Sequence, residues 1–174
     1  MSAEPPSSRV PEAVDAWRMV ATRRGLEGRV PLSALSRLQG LLHDTEGEVA
    51  YALQFDRDPL LQTDFVELRV KTELPLLCQR GLERFLLPVD VVQRLGLVRD
   101  EAEESALPPD YEALLVPEDG RLLPLDLVED ELVLAVPAVP IDPASEAVQA
   151  DWPAQEEEVA KANPFAALAG LKKN

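Results

Sequence analysis

Hydrophobic and polar positions alternate most regularly in two stretches. In Glu48–Phe55, Val49, Tyr51, Leu53 and Phe55 alternate with Glu48, Ala50, Ala52 and Gln54. In Phe65–Leu74, Val66, Leu68, Val70, Thr72 and Leu74 alternate with Glu67, Arg69, Lys71 and Glu73. A period of two sends successive side chains to opposite faces, so both stretches predict half-buried strands with one wet face, as in antiparallel sheets. Asp56–Asp64 (DRDPLLQTD) is rich in turn formers and longer than a two-residue hairpin, so it predicts a turn without fixing the register. Leu76 to Cys78 and Arg84 to Val92 read as further strands around a Gln79–Glu83 turn. Leu26–Val30 and Tyr111–Val116 read as short strands, and Pro117-Glu118-Asp119-Gly120 as a turn.

Helical spacing comes in shorter pieces. Val14, Trp17, Val20 and Ala21 predict an amphipathic helix over Ala13–Thr22, with Gly25 as its stop. Pro31–Gly40 (PLSALSRLQG) predicts a second, with Leu32, Leu35 and Leu38 inward. The best-marked helix lies in Leu122–Pro137. Asp126 is its expected cap, and Glu129, three residues on, completes a capping-box-like pattern at the positive end of the helix dipole. Pro137 stops it. Leu127, Val128, Glu131, Leu132 and Ala135 share one stripe, apolar but for one acid, which Val133 and Leu134 widen. Glu129, Asp130 and Glu131 are consecutive. Neighbouring helical side chains point about 100° apart, so the three do not converge on one metal ion and read as capping plus a solvated edge.

The expected fold class is α+β, an antiparallel sheet of about five strands with short helices packed on it and extended acidic and terminal segments. Residues 1–12 (MSAEPPSSRVPE) read as a flexible N-terminus, 13–141 as a single domain and 142–162 as a Pro/Glu-rich extended segment. Residues 163–174 read as a C-terminal helix capped by Asn163, with Pro164 at its first position and Phe165, Leu168, Ala169 and Leu171 on one face. Asp100–Asp110 reads as an acidic loop.

Charge changes this picture more than size does. The 174 residues carry a net −15. Residues 1–98 hold 12 basic and 14 acidic side chains, whereas residues 99–160 hold 2 and 18. The second block repels phosphate backbones and attracts basic surfaces, which argues against DNA or a simple nucleic-acid binder but leaves room for a local basic patch. No long apolar run predicts a membrane span, and the N-terminus lacks a signal-peptide layout. One cysteine, Cys78, allows no disulfide framework within the chain. A cytoplasmic protein without a membrane partner is the expectation.

Catalytic vocabulary is sparse. Cys78 has no histidine near it in sequence, since His43 is the only one, and reads as a small strand residue rather than a nucleophile. His43, beside Asp44, reads as a surface loop residue. One Cys and one His cannot complete a zinc site within the chain. Phosphate-loop, Gly-x-Ser-x-Gly and His-Glu-x-x-His sequences are absent from the 174 residues. The main local basic patch is Arg18, Arg23, Arg24, Arg29 and Arg37 with Trp17 among them. Arginine beside an aromatic ring suits RNA contact through phosphate and stacking, but the same arginines equally suit pairing with the acidic block. Arg69, Lys71, Arg80 and Arg84 are further RNA-contact candidates.

Three segments, in order and spacing, resemble the YceD family of large ribosomal RNA subunit accumulation proteins. Leu77-Cys78-Gln79-Arg80 resembles the family's L-x-C-Q-R-C element. The stretch from Leu125 to Pro140, with Asp126, Glu129, Asp130, Glu131, Pro137 and Pro140, resembles its VEDE-hydrophobic-ALP-x-VP signature. Asn163-Pro164-Phe165 and the residues after them resemble its NPF-A-x-L-A-x-L-K ending. The resemblance implies a bacterial cytoplasmic protein acting in synthesis, processing or stability of 23S ribosomal RNA, with no catalytic residues and no cofactor. Many relatives have a second cysteine three positions after the first, and some have more near the position of Pro137–Asp142. This chain has Gly81 and no cysteine there, so no metal site is carried over.

The expected function is therefore a non-enzymatic ribosome-biogenesis factor. Its partners would be 23S ribosomal RNA or its precursor, through the basic residues, and a basic large-subunit ribosomal protein, through the acidic surface. An RNA-processing enzyme with a carboxylate-held metal, or a pure protein-interaction adaptor, are the readings from other classes.

Overall fold

The computed structural model describes residues 10–145. In chain order these form β1 (Val14–Asp15), α1 (Ala16–Ala21), β2 (Gly25–Pro31), a 3-10 turn (Leu32–Ala34), β3 (Glu48–Arg57), β4 (Asp64–Leu77) and β5 (Arg84–Val98). Then come α2 (Glu101–Ser105), β6 (Glu112–Leu115), β7 (Arg121–Leu122) and α3 (Pro124–Ala135). Strands β2-β3-β4-β5-β6 make one five-stranded sheet in that order, and β1 pairs with β7 in a separate ribbon. The α+β expectation holds, with one difference. β6 runs parallel to β5, from Leu95↔Glu112 to Val98↔Leu115, while the other neighbours are antiparallel. A parallel neighbour needs a crossover, and the segment carrying α2 supplies it.

The period-two alternation sorts the sheet into two faces. Val49, Leu53 and Phe55 of β3 and Val66, Leu68, Val70, Leu74 and Leu76 of β4 are buried on one. Against that face pack Ala16, Met19 and Val20 of α1, Val128 and Leu132 of α3, and Leu32, Leu35 and Leu38 of the segment after β2. Burial of such side chains contributes about 1.5–3 kcal/mol each before conformational entropy is set against it. The opposite face carries Arg29, Ala50, Ala52, Arg69, Lys71, Asp90 and Val92. At one end it is covered by Leu107 and Tyr111, which sit over Gly96. A Cβ on Gly96 would lie 2.7 Å from Leu107 Cδ2, so glycine lets the crossover seat there.

Several elements differ from the sequence expectation. Leu76–Cys78 is not a separate strand, because β4 runs unbroken through Pro75. Pairing with β3 reaches only as far as Ala50↔Lys71, and Pro75 lies beyond it on what has become an edge, where a missing N–H removes no ladder bond. Its carbonyl accepts from His43 N at 2.9 Å. Cys78 lies just past the strand, in the β4–β5 turn. The helix expected over Pro31–Gly40 is only the 3-10 turn, yet Leu32, Leu35 and Leu38 are all buried as expected. The Asp100–Asp110 loop contains α2, capped by the Asp100 carboxylate, which accepts from Glu103 N at 2.9 Å. α1 starts later than the expected Ala13, because Val14–Asp15 form β1 and Asp15 caps the helix. It closes at Thr22 as expected, and Arg23 in a left-handed conformation (φ 49°), not Gly25, turns the chain into β2.

The largest correction concerns α3. It starts at Pro124 with Leu123 as the flanking residue, so Asp126 lies inside the first turn and caps nothing. Glu129 is not part of a solvated edge: it is buried, while Asp130 is exposed and Glu131 half-buried. The reason is a partner from elsewhere in the chain, Arg37, whose side chain and backbone both donate to the Glu129 carboxylate. Residues 1–9 and 146–174, and with them the expectations for most of the N-terminus, the Pro/Glu-rich segment and Asn163, Pro164 and Phe165, lie outside the described residues. No described helix is long and apolar enough to cross a membrane.

Candidate nucleic-acid interface

The ten basic and aromatic candidates do not form one patch. The fold distributes them over four places. Trp17, Arg18, Arg23 and Arg24 lie at the end of the sheet where β3 turns into β4. Arg29, Arg69 and Lys71 lie on the open sheet face. Arg80 and Arg84 lie at the opposite end, by the β4–β5 turn. Arg37 is held against α3.

The Trp17 end is the most developed. Asp15 caps α1, its carboxylate accepting from Arg18 N at 3.0 Å, and this places Trp17 at the start of the helix. The Trp17 edge packs on Gly120, where a Cβ would come within 3.0 Å of Cδ1 and where the backbone is left-handed (φ 69°). The Arg99 guanidinium stacks over the indole, 4.1 Å from Cζ to the ring centroid. Trp17, Arg57, Gln62, Thr63, Arg99 and Glu103 line a hollow of about 290 Å³. Arg57 meets Asp64 at 3.2 Å and donates to Gln62 Oε1 at 3.3 Å. Arg99 meets Glu103 at 3.2 Å, and Arg23 meets Asp56 at 3.3 Å. The Arg23–Asp56 and Arg99–Glu103 pairs are solvent-exposed and worth about 0–1 kcal/mol each, so an incoming phosphate competes with those carboxylates on near-equal terms, whereas Asp64 is partly buried beneath Arg57. Arg18 and Arg24 make no ion pair among the described residues. Arg57 and Arg99 were not among the sequence candidates. Nothing local marks either, since Arg99 reaches Trp17 only through the approach of the β5 end to α1.

On the open face, cross-strand register places Arg29 opposite Ala50, Ala50 opposite Lys71, Ala52 opposite Arg69, and Arg69 opposite Val92. A shallow depression with Ala50, Ala52 and Val92 in its lining therefore runs between basic side chains. Arg29 pairs with Glu48, Arg69 with Glu67, and Lys71 with Asp90 at 3.5 Å. Arg94 also reaches Glu67 at 3.3 Å, and the two arginines hold the Glu67 carboxyl below its ordinary pKa. At the far end Arg84 binds Asp44 at 2.6 Å and holds that carboxyl low. Arg80 donates to the Ser145 carbonyl at 3.0 Å. Arg80 and Arg84 therefore fasten the chain to itself.

The same end brings two of the singled-out sequence segments together. Gln79 N donates to Pro140 O at 2.8 Å, and Asp142 N points at Cys78 Sγ at 3.3 Å. Gly81 N points at the same sulfur from 3.4 Å, and Ser145 Oγ lies 3.7 Å away. These donors, the Asp142 N–H above all, lower the thiol from its ordinary value to about 7. Cys78 is buried, and among the described residues no group of three or more His, Cys, Asp or Glu side chains is placed to hold a metal ion.

A family model described as large ribosomal RNA subunit accumulation protein YceD matches residues 66–172, more than half of the chain. The chain belongs to the YceD family. It is also similar to the large ribosomal RNA subunit accumulation protein YceD of Haemophilus influenzae, 29% identical over 170 residues, covering 94% of this chain and 97% of that protein. No solved structure matches it. The YceD match spans the Gln79–Pro140 contact and all of α3, so the Arg37–Glu129 bond ties the segment before the matched region to a helix within it.

Proposed function

We propose that the chain supports accumulation of large-subunit (23S) ribosomal RNA as a binding factor with no catalytic step, and that it touches RNA through the Trp17 end of the sheet. Family membership supports the process. The hollow in which Trp17, Arg57 and Arg99 meet carries the choice of surface, because it joins an aromatic ring to two solvent-exposed guanidiniums, one held by the exposed Glu103 and one by the partly buried Asp64, with Arg18, Arg23 and Arg24 beside it. Guanidiniums in such a place recognise phosphate through paired N–H groups, and stacking on aromatic or guanidinium planes is how unpaired RNA bases are commonly held. The sheet face with Arg29, Arg69 and Lys71 extends the basic surface as a weaker neighbour. Arg37, Arg80 and Arg84 are left out, because Arg37 is held by the buried Glu129, and Arg80 and Arg84 lie at the opposite end of the sheet, where they fasten the chain to itself.

The test is RNA binding by the full chain with large-subunit precursor RNA, comparing wild type with Arg57→Glu/Arg99→Glu. The reading expects affinity to fall by about tenfold or more and the salt dependence to flatten. Equal binding by the two proteins overturns this choice of surface.

A second reading is favoured by the charge asymmetry, 2 basic against 18 acidic side chains over residues 99–160. The acidic surface would hold a basic ribosomal protein at one end while RNA is held at the other. Such a surface steers a cationic partner and does so less well at high salt.

A further inference from the structure

We propose that the groove between β6 and α3 binds an extended, lysine- or arginine-rich peptide segment of a partner protein, its apolar side chains against the groove floor and its cations against Glu112 and Glu131. This rests on the second reading above and names the surface and the kind of segment.

The groove is lined by Leu95, Leu114, Leu127 and Leu134, with Glu112, Asp130 and Glu131 along it. Leu134, 73% exposed on α3, stands beside the half-buried Leu114 and Val133 in the same lining. Apolar side chains left open beside one another mark contact sites more than stray surface residues do. β6 is the last strand of the sheet, so one side of its backbone has no strand neighbour among the described residues, and an extended segment can lie along it.

Charge selects the occupant. All three ionisable groups lining the groove are acids. Asp130 shares Arg37 with Glu129, so it is already paired. Glu112 accepts from Gln93 Nε2, a neutral donor, and neither Glu112 nor Glu131 has an ion pair among the described residues. Burial pushes the Glu131 carboxyl above its ordinary range, and the charges of Glu112 and Asp130 add to this. A cation placed between Glu112 and Glu131 relieves that repulsion, whereas an RNA phosphate or an acidic peptide increases it. A purely apolar ligand would leave the acids unanswered.

The experiment uses the full chain and a fluorescent synthetic peptide, Lys-Val-Lys-Leu-Lys-Val-Lys, with a Glu-for-Lys version as control, followed by anisotropy at low salt. Wild type binds the lysine peptide and not the control. Glu112→Lys/Glu131→Lys weakens binding by about tenfold or more, and Leu134→Lys, at an exposed site that does not threaten folding, weakens it comparably. Equal binding by wild type and both variants overturns the groove while leaving an acidic-surface partner elsewhere. No binding by wild type overturns the groove and the acidic-surface reading together. Tighter binding by a full chain carrying Lys161→Glu, Lys172→Glu and Lys173→Glu assigns the groove to the chain's own C-terminal segment and overturns the proposal of a partner.

Discussion

Arg37 and Glu129 are 92 residues apart in sequence and joined by two hydrogen bonds. The Glu129 carboxylate accepts from the Arg37 backbone N at 2.6 Å and from Nε at 3.0 Å. Arg37 Nη2 donates to the Asp126 carbonyl at 3.1 Å, and Nη1 pairs with Asp130. One side chain thus fastens the segment after β2 to the first two turns of α3, which is how an acid comes to lie buried on an otherwise apolar side.

Glu129→Ala leaves the partly buried Arg37 N–H without its acceptor and should cost about 1–3 kcal/mol in urea unfolding. Arg37→Ala should cost at least as much, because it leaves the buried Glu129 carboxylate without its cation, whereas the Arg37 side chain is half in water. A double-mutant cycle should return a coupling of about 1–3 kcal/mol. Additive losses would mean that the two residues act separately.

Glu131 makes an opposite prediction. Burial first, then Glu112 and Asp130, raise its folded pKa above the unfolded value. The unfolded chain therefore releases its proton at lower pH, and stability is lost as pH rises from about 4 through the folded pKa. Glu131→Gln should be more stable than wild type at pH about 7, with the difference closing in acid below pH about 4. Chemical denaturation across that range measures it, and a constant difference at every pH would exclude the electrostatic cause.

Cys78 titrates the other way. Backbone N–H groups, that of Asp142 first, depress its folded pKa to about 7. The stabilisation is fully present above the ordinary thiol pKa and is lost as pH falls through about 7. Wild type should therefore gain stability between pH about 7 and about 9 relative to Cys78→Ser, and ultraviolet thiolate absorbance of the folded chain should titrate near the lower value. A thiol titrating at the ordinary value would mean that the segment from Pro140 to Ser145 does not seat on the β4–β5 turn.

The sheet was legible because alternation is a local signal. Val49 to Phe55 and Val66 to Leu74 declared their buried face residue by residue. What stayed hidden depends on partners far along the chain. Pro75 reads as a strand break until β3 is seen to have ended beside it. Glu129 reads as a cap until Arg37 arrives. Leu35 and Leu38 fit a helical stripe equally well when they only anchor an irregular segment. In the candidate interface Trp17, Arg18, Arg23 and Arg24 were visible as a cluster of basic and aromatic residues. Arg57 and Arg99 were not, since the turn after β3 and the end of β5 bring them to Trp17. Arg37, Arg80 and Arg84 looked equally suited to RNA, because sequence does not reveal which arginines the fold has already used.

The measurement that bears most directly on the function proposed here is crosslinking and sequencing of RNA bound to the tagged full chain in cells, with Arg57→Glu/Arg99→Glu and Arg18→Glu/Arg24→Glu as controls. The account predicts crosslinks concentrated on large-subunit ribosomal RNA or its precursor and lost in both variants, while Arg80→Glu retains them. Crosslinks absent from wild type, or unchanged in both variants, would contradict it.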